Sequence, residues 1–155
     1  MKKILLAAML ALILATVAFA APFDKIVQYS DGTFTDVPSD AWYAADVVNV
    51  YELGLVNGVG QNMFNPMGSV TVAEAITLAS RLNAVYNSSQ IPDKTGEWYV
   101  GYVDYALEKG IIEKDEFDSY TRPAKRIEVA RLLAKSLPVD YFSQINKVYN
   151  IPDVK

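Results

Sequence analysis

The feature that most constrains the fold is an internal repeat of 54 to 56 residues. A Trp-Tyr pair begins at Trp42 and again at Trp98, 56 positions later. Gly54 and Gly110, each followed by two aliphatic residues, keep the same offset. A fixed period of this size is typical of repeat proteins, in which each repeat is one supersecondary unit. The sequence therefore predicts a repeat architecture.

Each repeat is predicted to form a helix, a loop and a second helix, which makes the fold all-α. In the first repeat, Ser39 or Asp40 can cap a helix over residues 41–53, and Gly54 is placed to end it in the left-handed conformation. Apolar residues at helical spacing predict one buried stripe in each first helix: Tyr43, Val47, Val50 and Tyr51, then Tyr99, Tyr102, Val103, Ala106 and Leu107.

The two second helices are predicted to begin differently. Thr71 and Glu74 form a capping box in the first repeat. Lys125 stands at the equivalent place in the second repeat and cannot cap as threonine does, so this helix is predicted to begin with Pro123 in its first turn, behind Thr121. The predicted core faces are Ala75, Leu78, Ala79 and Leu82, then Val129, Leu132 and Leu133. Phe64 is predicted to pack the intervening loop onto the helices.

Residues 1–20 have the pattern of an export signal. Lys2 and Lys3 precede an uncharged apolar run, and Ala18-Phe19-Ala20 is a small-residue cleavage site. An uncleaved membrane anchor is the alternative. Cleavage would leave 135 of the 155 residues with 12 Lys and Arg against 18 Asp and Glu, a net charge of −6. We expect an exported protein that has no membrane segment once the signal is removed.

Composition excludes several classes of function. A net acidic chain lacks the basic patches of nucleic-acid-binding proteins. The absence of cysteine and histidine removes disulfides, zinc sites, thiol nucleophiles and Ser-His triads. We expect no cofactor and no metal, and few common enzyme chemistries remain.

The repeated motifs resemble the S-layer homology family, whose repeat reads roughly F-x-D-V-x(4)-W, a helix, G-[IL]-[IV]-x-G, F-x-P and T-R-A-E. The first repeat supplies Phe34-Thr35-Asp36-Val37, Trp42, Gly54-Leu55-Val56-Asn57-Gly58, Phe64-Asn65-Pro66 and Thr71-Val72-Ala73-Glu74. The second supplies Asp93, Trp98, Gly110-Ile111-Ile112 and Lys125-Arg126-Ile127-Glu128, and Ile151-Pro152-Asp153-Val154 is similar to the opening of a third.

The resemblance implies a domain plan and a function. It divides the chain into a signal (1–20), a lead-in (21–33), repeats at 34–87 and 91–146, and a truncated third repeat (150–155). Three such repeats usually bundle around a pseudo-threefold axis, so the arrangement would be incomplete with two of three repeats. The family anchors exported proteins to the cell wall by binding a secondary wall polysaccharide, often one with pyruvyl ketals. We therefore expect a non-catalytic anchor at the cell surface.

The expected binding residues lie at the starts of helices. The resemblance implies that the first residues of the T-R-A-E helix, chiefly its arginine, line the binding groove. Arg126, with Lys125 beside it, would hold a ketal carboxylate by a planar fork at a helix N-terminus. Trp98 and Trp42 would offer flat faces to sugar rings, although core packing is the alternative. The remaining candidates are Thr71, Glu128 and Asp36, for which capping or loop bracing is the alternative.

Val72 departs from the family pattern, because arginine is usual at its position. Its pocket is either degenerate or suited to an apolar part of a ligand. Two other functions stay open: a tether that binds peptidoglycan-linked polymer or a lattice protein, and a small glycan hydrolase using two carboxylates such as Glu74 and Glu128. The truncated third motif also suggests self-association that restores the threefold arrangement.

Overall fold

The computed structural model describes residues 23–141. The signal, the end of the second repeat and the third-repeat motif lie outside the described residues. The described part contains four α-helices and one short 3-10 turn, and it contains no β-strand. They are α1 (Ala44–Glu52), α2 (Val72–Tyr86), α3 (Val100–Glu108), α4 (Arg126–Lys135) and the turn Val139–Tyr141. The prediction of an all-α fold is confirmed.

The two first helices end in the same way, at the repeated glycines. Gly54 has φ +70° and Gly110 has φ +68°, the left-handed region that glycine enters without steric cost. The amide of Gly54 donates to the Tyr51 carbonyl at 2.8 Å, and the next amide, of Leu55, donates to Val50 at 2.9 Å. This pair of bonds is a Schellman motif, and the predicted left-handed position of Gly54 is confirmed. The chain then turns sharply towards the loop before α2.

The second helices begin at different kinds of cap. The predicted box at α2 is confirmed: the Thr71 amide donates to Glu74 at 2.7 Å, and the Glu74 amide donates to the Thr71 hydroxyl at 3.3 Å. The prediction that α4 begins at Pro123 is wrong, because α4 begins at Arg126. At α4 only one half of such a box forms: the Glu128 carboxylate accepts the Lys125 amide at 2.7 Å. Pro123 instead forms a β-bridge with Thr71.

The larger hydrophobic core crosses the boundary between the sequence repeats. Helix α2 packs against both α3 and α4, so the second helix of one repeat shares a core with both helices of the next. Its fully buried members include Val72, Ile76, Ile111 and Leu132. Burial of side chains of this size stabilises the fold by about 1.5–3 kcal/mol each. Helices α2, α3 and α4 are therefore expected to unfold together.

The predicted stripe of the second repeat is buried in part, with Tyr99 and Tyr102 half-buried and with one exchange. Val103 and Ala106 are buried as predicted, but Leu107 is 37% exposed and Tyr105 is buried in its place. The Tyr105 hydroxyl donates to the Asn83 side chain at 2.8 Å and pairs with the Ser89 hydroxyl at 2.7 Å. These polar partners from α2 and its C-terminal end draw the tyrosine inwards, and apolar spacing alone does not reveal them.

Arg81 also connects the repeats. Its guanidinium donates to the Leu55 carbonyl at 3.2 Å and to the Tyr102 hydroxyl at 3.0 Å, and it lies 5.3 Å from the centre of the Tyr102 ring. One side chain of α2 thus ties the loop after α1 to α3.

A smaller core surrounds Phe34 at the start of the first repeat. Phe34, Val37, Ala44 and Val47 are buried, and several partly buried side chains pack against them: Tyr29, Ala41, Tyr43, Tyr51 and Phe64. Phe64 lies 5.5 Å from Phe34 between ring centroids and packs the loop against this core, which includes Ala44 and Val47 of α1. Its predicted packing role is therefore confirmed with respect to α1. The lead-in segment therefore packs on the first repeat.

Candidate functional site

At the start of α4, an unpaired arginine side chain lies next to backbone amides that make no hydrogen bond within residues 23–141. Arg126 is the first residue of the helix, and its side chain is exposed with no hydrogen-bond or ion-pair partner among residues 23–141. The amides of Arg126 and Ile127 also lack a partner in this range. Free amides at a helix N-terminus carry a partial positive charge and favour anions. Lys125 is exposed beside them.

At the start of α2, by comparison, the first backbone amides are already hydrogen-bonded. The amide of Val72 donates to the Arg122 carbonyl at 3.0 Å, and that of Ala73 donates to the Tyr120 carbonyl at 2.8 Å. Val72 and Ala73 are 0% and 1% exposed. The Thr71 hydroxyl donates to Glu74 at 2.8 Å. The segment before α4 thus accepts hydrogen bonds from the first two amides of α2, whereas the equivalent amides of α4 have no partner among residues 23–141. The two helix starts are therefore not equivalent.

Arg122 is the residue that sequence reasoning missed. Its guanidinium binds Glu128 bidentately, at 2.8 and 2.9 Å, and binds Asp118 at 2.8 Å. Hydrogen bonds from Arg122 lower the pKa of Glu128 to about 2. The hydrogen bonds of Arg122 to Glu128 and Asp118 raise the pKa of Arg122. The repeat gives no signal for this residue, because Gly68 stands 54 positions earlier. Glu128 therefore holds the loop and the first turn of α4 together.

Both tryptophans lie on the surface. Trp42 is 89% exposed and Trp98 is 57% exposed. Each indole meets the ring of the following tyrosine edge-on at 5.5 Å between centroids, with interplanar angles of 85° and 88°. The alternative of core packing does not describe these side chains, since most of each indole is accessible to a ligand. Large exposed aromatic faces are suited to contact with another molecule.

Asp36 braces the loop before α2. Its carboxylate accepts the amides of Phe64 at 2.8 Å and Asn65 at 2.6 Å. The hydrogen bond from Phe64 contributes most to lowering the pKa of Asp36. Both oxygens are therefore engaged in holding the Phe64-Asn65-Pro66 segment.

The structure brings part of the candidate set together. Lys125, Arg126 and Glu128 form the first turn of α4. Trp98 is linked to the start of α2 through its neighbour Tyr99, which lies 5.5 Å from Tyr120. The other candidates lie elsewhere: Thr71 at the start of α2, and Trp42 and Asp36 around the smaller core. Among the described residues no group of acidic side chains is placed to hold a metal ion. None of the described helices has the length and apolar character needed to cross a membrane.

These features define a helical repeat module with a cationic helix start and exposed aromatic faces. The S-layer homology domain family matches residues 33–76. The chain carries an S-layer homology domain, which confirms the resemblance inferred from its motifs.

The relatives include S-layer and cell surface proteins, and they are much longer than this chain. It is 30% identical over 131 residues to the S-layer protein sap of Bacillus anthracis, an alignment that covers 81% of this chain and 16% of the relative. It is 28% identical over 115 residues to a cell surface protein of Thermoanaerobacter kivui, covering 74% and 14%. An amylopullulanase of Thermoanaerobacterium thermosulfurigenes shares 33% identity over 107 residues, covering 64% and 6%. No solved structure gave a significant match.

These similarities indicate a cell-surface or cell-wall location and support an anchoring role there. The chain spans about one sixth of the length of its first relatives. In S-layer proteins the S-layer homology domain is a non-catalytic anchoring module, while the amylopullulanase is an enzyme with further domains.

Proposed function

We propose that this chain is a non-catalytic anchor that binds an acidic secondary wall polysaccharide, such as a pyruvylated one, at the start of α4. The observation that supports this most is the Arg126 guanidinium next to the amides of Arg126 and Ile127, all without a partner among residues 23–141. A carboxylate placed there can accept two parallel bonds from the guanidinium while an amide and the helix dipole favour its charge. A pyruvyl ketal supplies such a carboxylate on a sugar ring.

The surroundings favour an anion despite the acidic composition of the chain. The charged side chains at this site are Asp118, Arg122, Lys125, Arg126 and Glu128, which sum to +1. Both carboxylates are paired with Arg122. Distant acidic groups are screened beyond roughly 8–10 Å at physiological salt. The local attraction therefore decides the sign of the interaction.

The other candidate residues take supporting roles in this proposal. Glu128 is a positioning residue, because its oxygens hold Arg122 and the Lys125 amide. Trp98, and Trp42 in the other repeat, provide aromatic faces for sugar rings. Thr71 and Asp36 shape the first repeat through their backbone bonds.

Catalysis by Glu74 and Glu128 is the less favoured function. Glu74 accepts the amide and the hydroxyl of Thr71, and Glu128 accepts the Arg122 fork. A glycosidase needs one carboxylate free to donate a proton and a second free to attack or to activate water. Two carboxylates that serve as helix caps do not meet this requirement.

The test is a pull-down of residues 21–155 on purified cell walls before and after chemical removal of the secondary polysaccharide. Arg126→Ala is compared with Lys135→Ala, which removes the same charge from the opposite end of α4. We expect binding to need the polymer and to fall about tenfold or more for Arg126→Ala, since hydrogen bonds to charged groups contribute about 1.5–3 kcal/mol. Equal binding to stripped walls would instead support a peptidoglycan-linked or protein partner.

A further inference from the structure

We propose that the first repeat carries a second binding site, for uncharged sugar residues, in two cavities that are both bordered by Phe34. This second site rests on the proposed function, because it would bind the neutral rings of the same polymer at a different part of the chain. The cavities measure about 500 and 330 Å³, within the usual range for small-ligand sites. Phe34 is 4% exposed and lines both cavities.

The first cavity combines aromatic, hydroxyl and carboxylate groups. Tyr29, Asp31 and Ser39 line it beside small apolar side chains of α1, such as Ala45. A pyranose ring has an apolar face and a rim of hydroxyls, so it suits a wall of this mixed character. The strongly exposed Trp42 lies in the chain between Ser39 and Ala45, which places a further aromatic face next to residues that line the cavity.

The second cavity has an amide rim. Gln61 and Asn62 line it, together with Tyr51 and Thr33. Their side-chain amides have no hydrogen-bond partner among residues 23–141, so each has donors and an acceptor available to a hydroxyl-rich ligand.

Backbone geometry at this rim also suggests function. Gln61 and Asn62 have φ values of +52° and +56°, and Gly60 pairs with Met63 across them, so they are the central residues of a tight type I′ turn. Asparagine tolerates this conformation, but glutamine at the first position is disfavoured relative to glycine. A strained residue whose side chain lines a cavity is a reason to look for a ligand.

Charge selects the class of ligand. No lysine or arginine of the described part of the chain lines either cavity, and Asp31 adds a negative charge to the first. A carboxylate only accepts hydrogen bonds and repels an anion, whereas sugar hydroxyls donate to it. The site in the first repeat is therefore specific for neutral rings, in contrast to the cationic start of α4.

The test is an NMR titration of ¹⁵N-labelled residues 21–155 with the neutral disaccharide N,N′-diacetylchitobiose and with a uronic-acid disaccharide of equal size. The double variant Gln61→Gly, Asn62→Gly removes both amides and keeps a backbone that glycine adopts freely. Ala45→Phe fills the first cavity, and Gln90→Ala, an exposed glutamine outside both cavities, is the control.

We expect the neutral sugar to shift the amide signals of residues 29–34 and 60–63, and the acidic sugar to leave them unchanged. The double variant should bind at least fivefold more weakly while its melting temperature stays level or rises, a combination that a purely structural role would not give. Absence of these shifts, equal shifts with the acidic sugar, or unchanged binding by both cavity variants would overturn the proposal.

The outcome is separable from that of the anchor itself. If Arg126→Ala releases the protein from walls but the neutral sugar causes no shifts, only the second site is refuted. If wall binding does not need the polysaccharide but the sugar still titrates residues 29–34, only the proposed anchor is refuted.

Discussion

The core that α2 shares with α3 and α4 predicts a large loss of stability when Ile76 is shortened to alanine. This side chain belongs to the first repeat by sequence, but it is 0% exposed within the core that α2 forms with α3 and α4. Ile76→Ala removes three carbon atoms, which costs about 2.4 kcal/mol at about 0.8 kcal/mol per buried methylene, before the cavity is counted. With the cavity term we expect a loss of about 3–4 kcal/mol in the free energy of unfolding.

The assay combines urea denaturation with amide hydrogen exchange followed by peptide. Because the core crosses the repeat boundary, Ile76→Ala should accelerate exchange in α3 and α4 as much as in α2. Val47→Ala, in the smaller core around Phe34, should mainly affect α1. A loss below about 1 kcal/mol, or faster exchange confined to α1 and α2, would refute the shared core.

Three further predictions concern single groups. Tyr105→Phe removes the hydroxyl bonded to Asn83, so urea titration should show a loss of about 1–2 kcal/mol; no loss would contradict the buried polar network. Gly54→Ala forces a left-handed alanine and should cost about 1–2 kcal/mol by the same assay, and a neutral result would contradict the cap. Because the pKa of Glu128 is lowered to about 2 from its ordinary 4.5, its contribution to stability is complete above about pH 4.5 and is lost as the pH falls through 2. The urea midpoint should therefore drop between pH 5 and pH 2, and Glu128→Gln should reduce that drop; an identical pH profile would contradict the pairing with Arg122.

Local sequence signals predicted the elements well. Helix periodicity, the Thr71 box and the two glycine caps depend on neighbours in the chain, so they could be read without the fold. The same signals failed at α1, which begins after Tyr43 without a side-chain cap and not at Ser39 or Asp40. They failed again at α4, where Pro123 suggested a start that tertiary contacts override. Pro123 pairs with Thr71 instead, because the loop before α4 covers the start of α2.

The candidate site was predictable only where the repeat marks it. Arg126 stands at a motif position, so its place at the start of a helix was expected. Arg122 lies outside the motif, and its role arises from the meeting of Asp118 and Glu128 in three dimensions. Tyr105 was missed for a similar reason, because its burial depends on polar partners in α2. The exposure of Trp42 and Trp98 is a property of how the units pack, which apolar spacing does not report.

The two helix starts differ, which explains why the proposed binding of a carboxylate depends on one arginine, Arg126. At α2 the amides are used by the neighbouring loop and the side chain is Val72. At α4 the amides have no partner within the described range 23–141, and the side chain is Arg126. A ligand carboxylate would therefore find both a guanidinium and a helix N-terminus only at the second of these places in the described part of the chain.

The most direct test is a calorimetric binding cycle with purified wall polysaccharide, native or stripped of its ketal carboxylates, and with the wild-type chain or Arg126→Ala. If the guanidinium holds the carboxylate, each single change should weaken binding about tenfold or more, which corresponds to about 1.4 kcal/mol. The two losses should not add, because each removes one side of the same contact. Independent, additive losses, or undiminished affinity for the stripped polymer, would contradict the account.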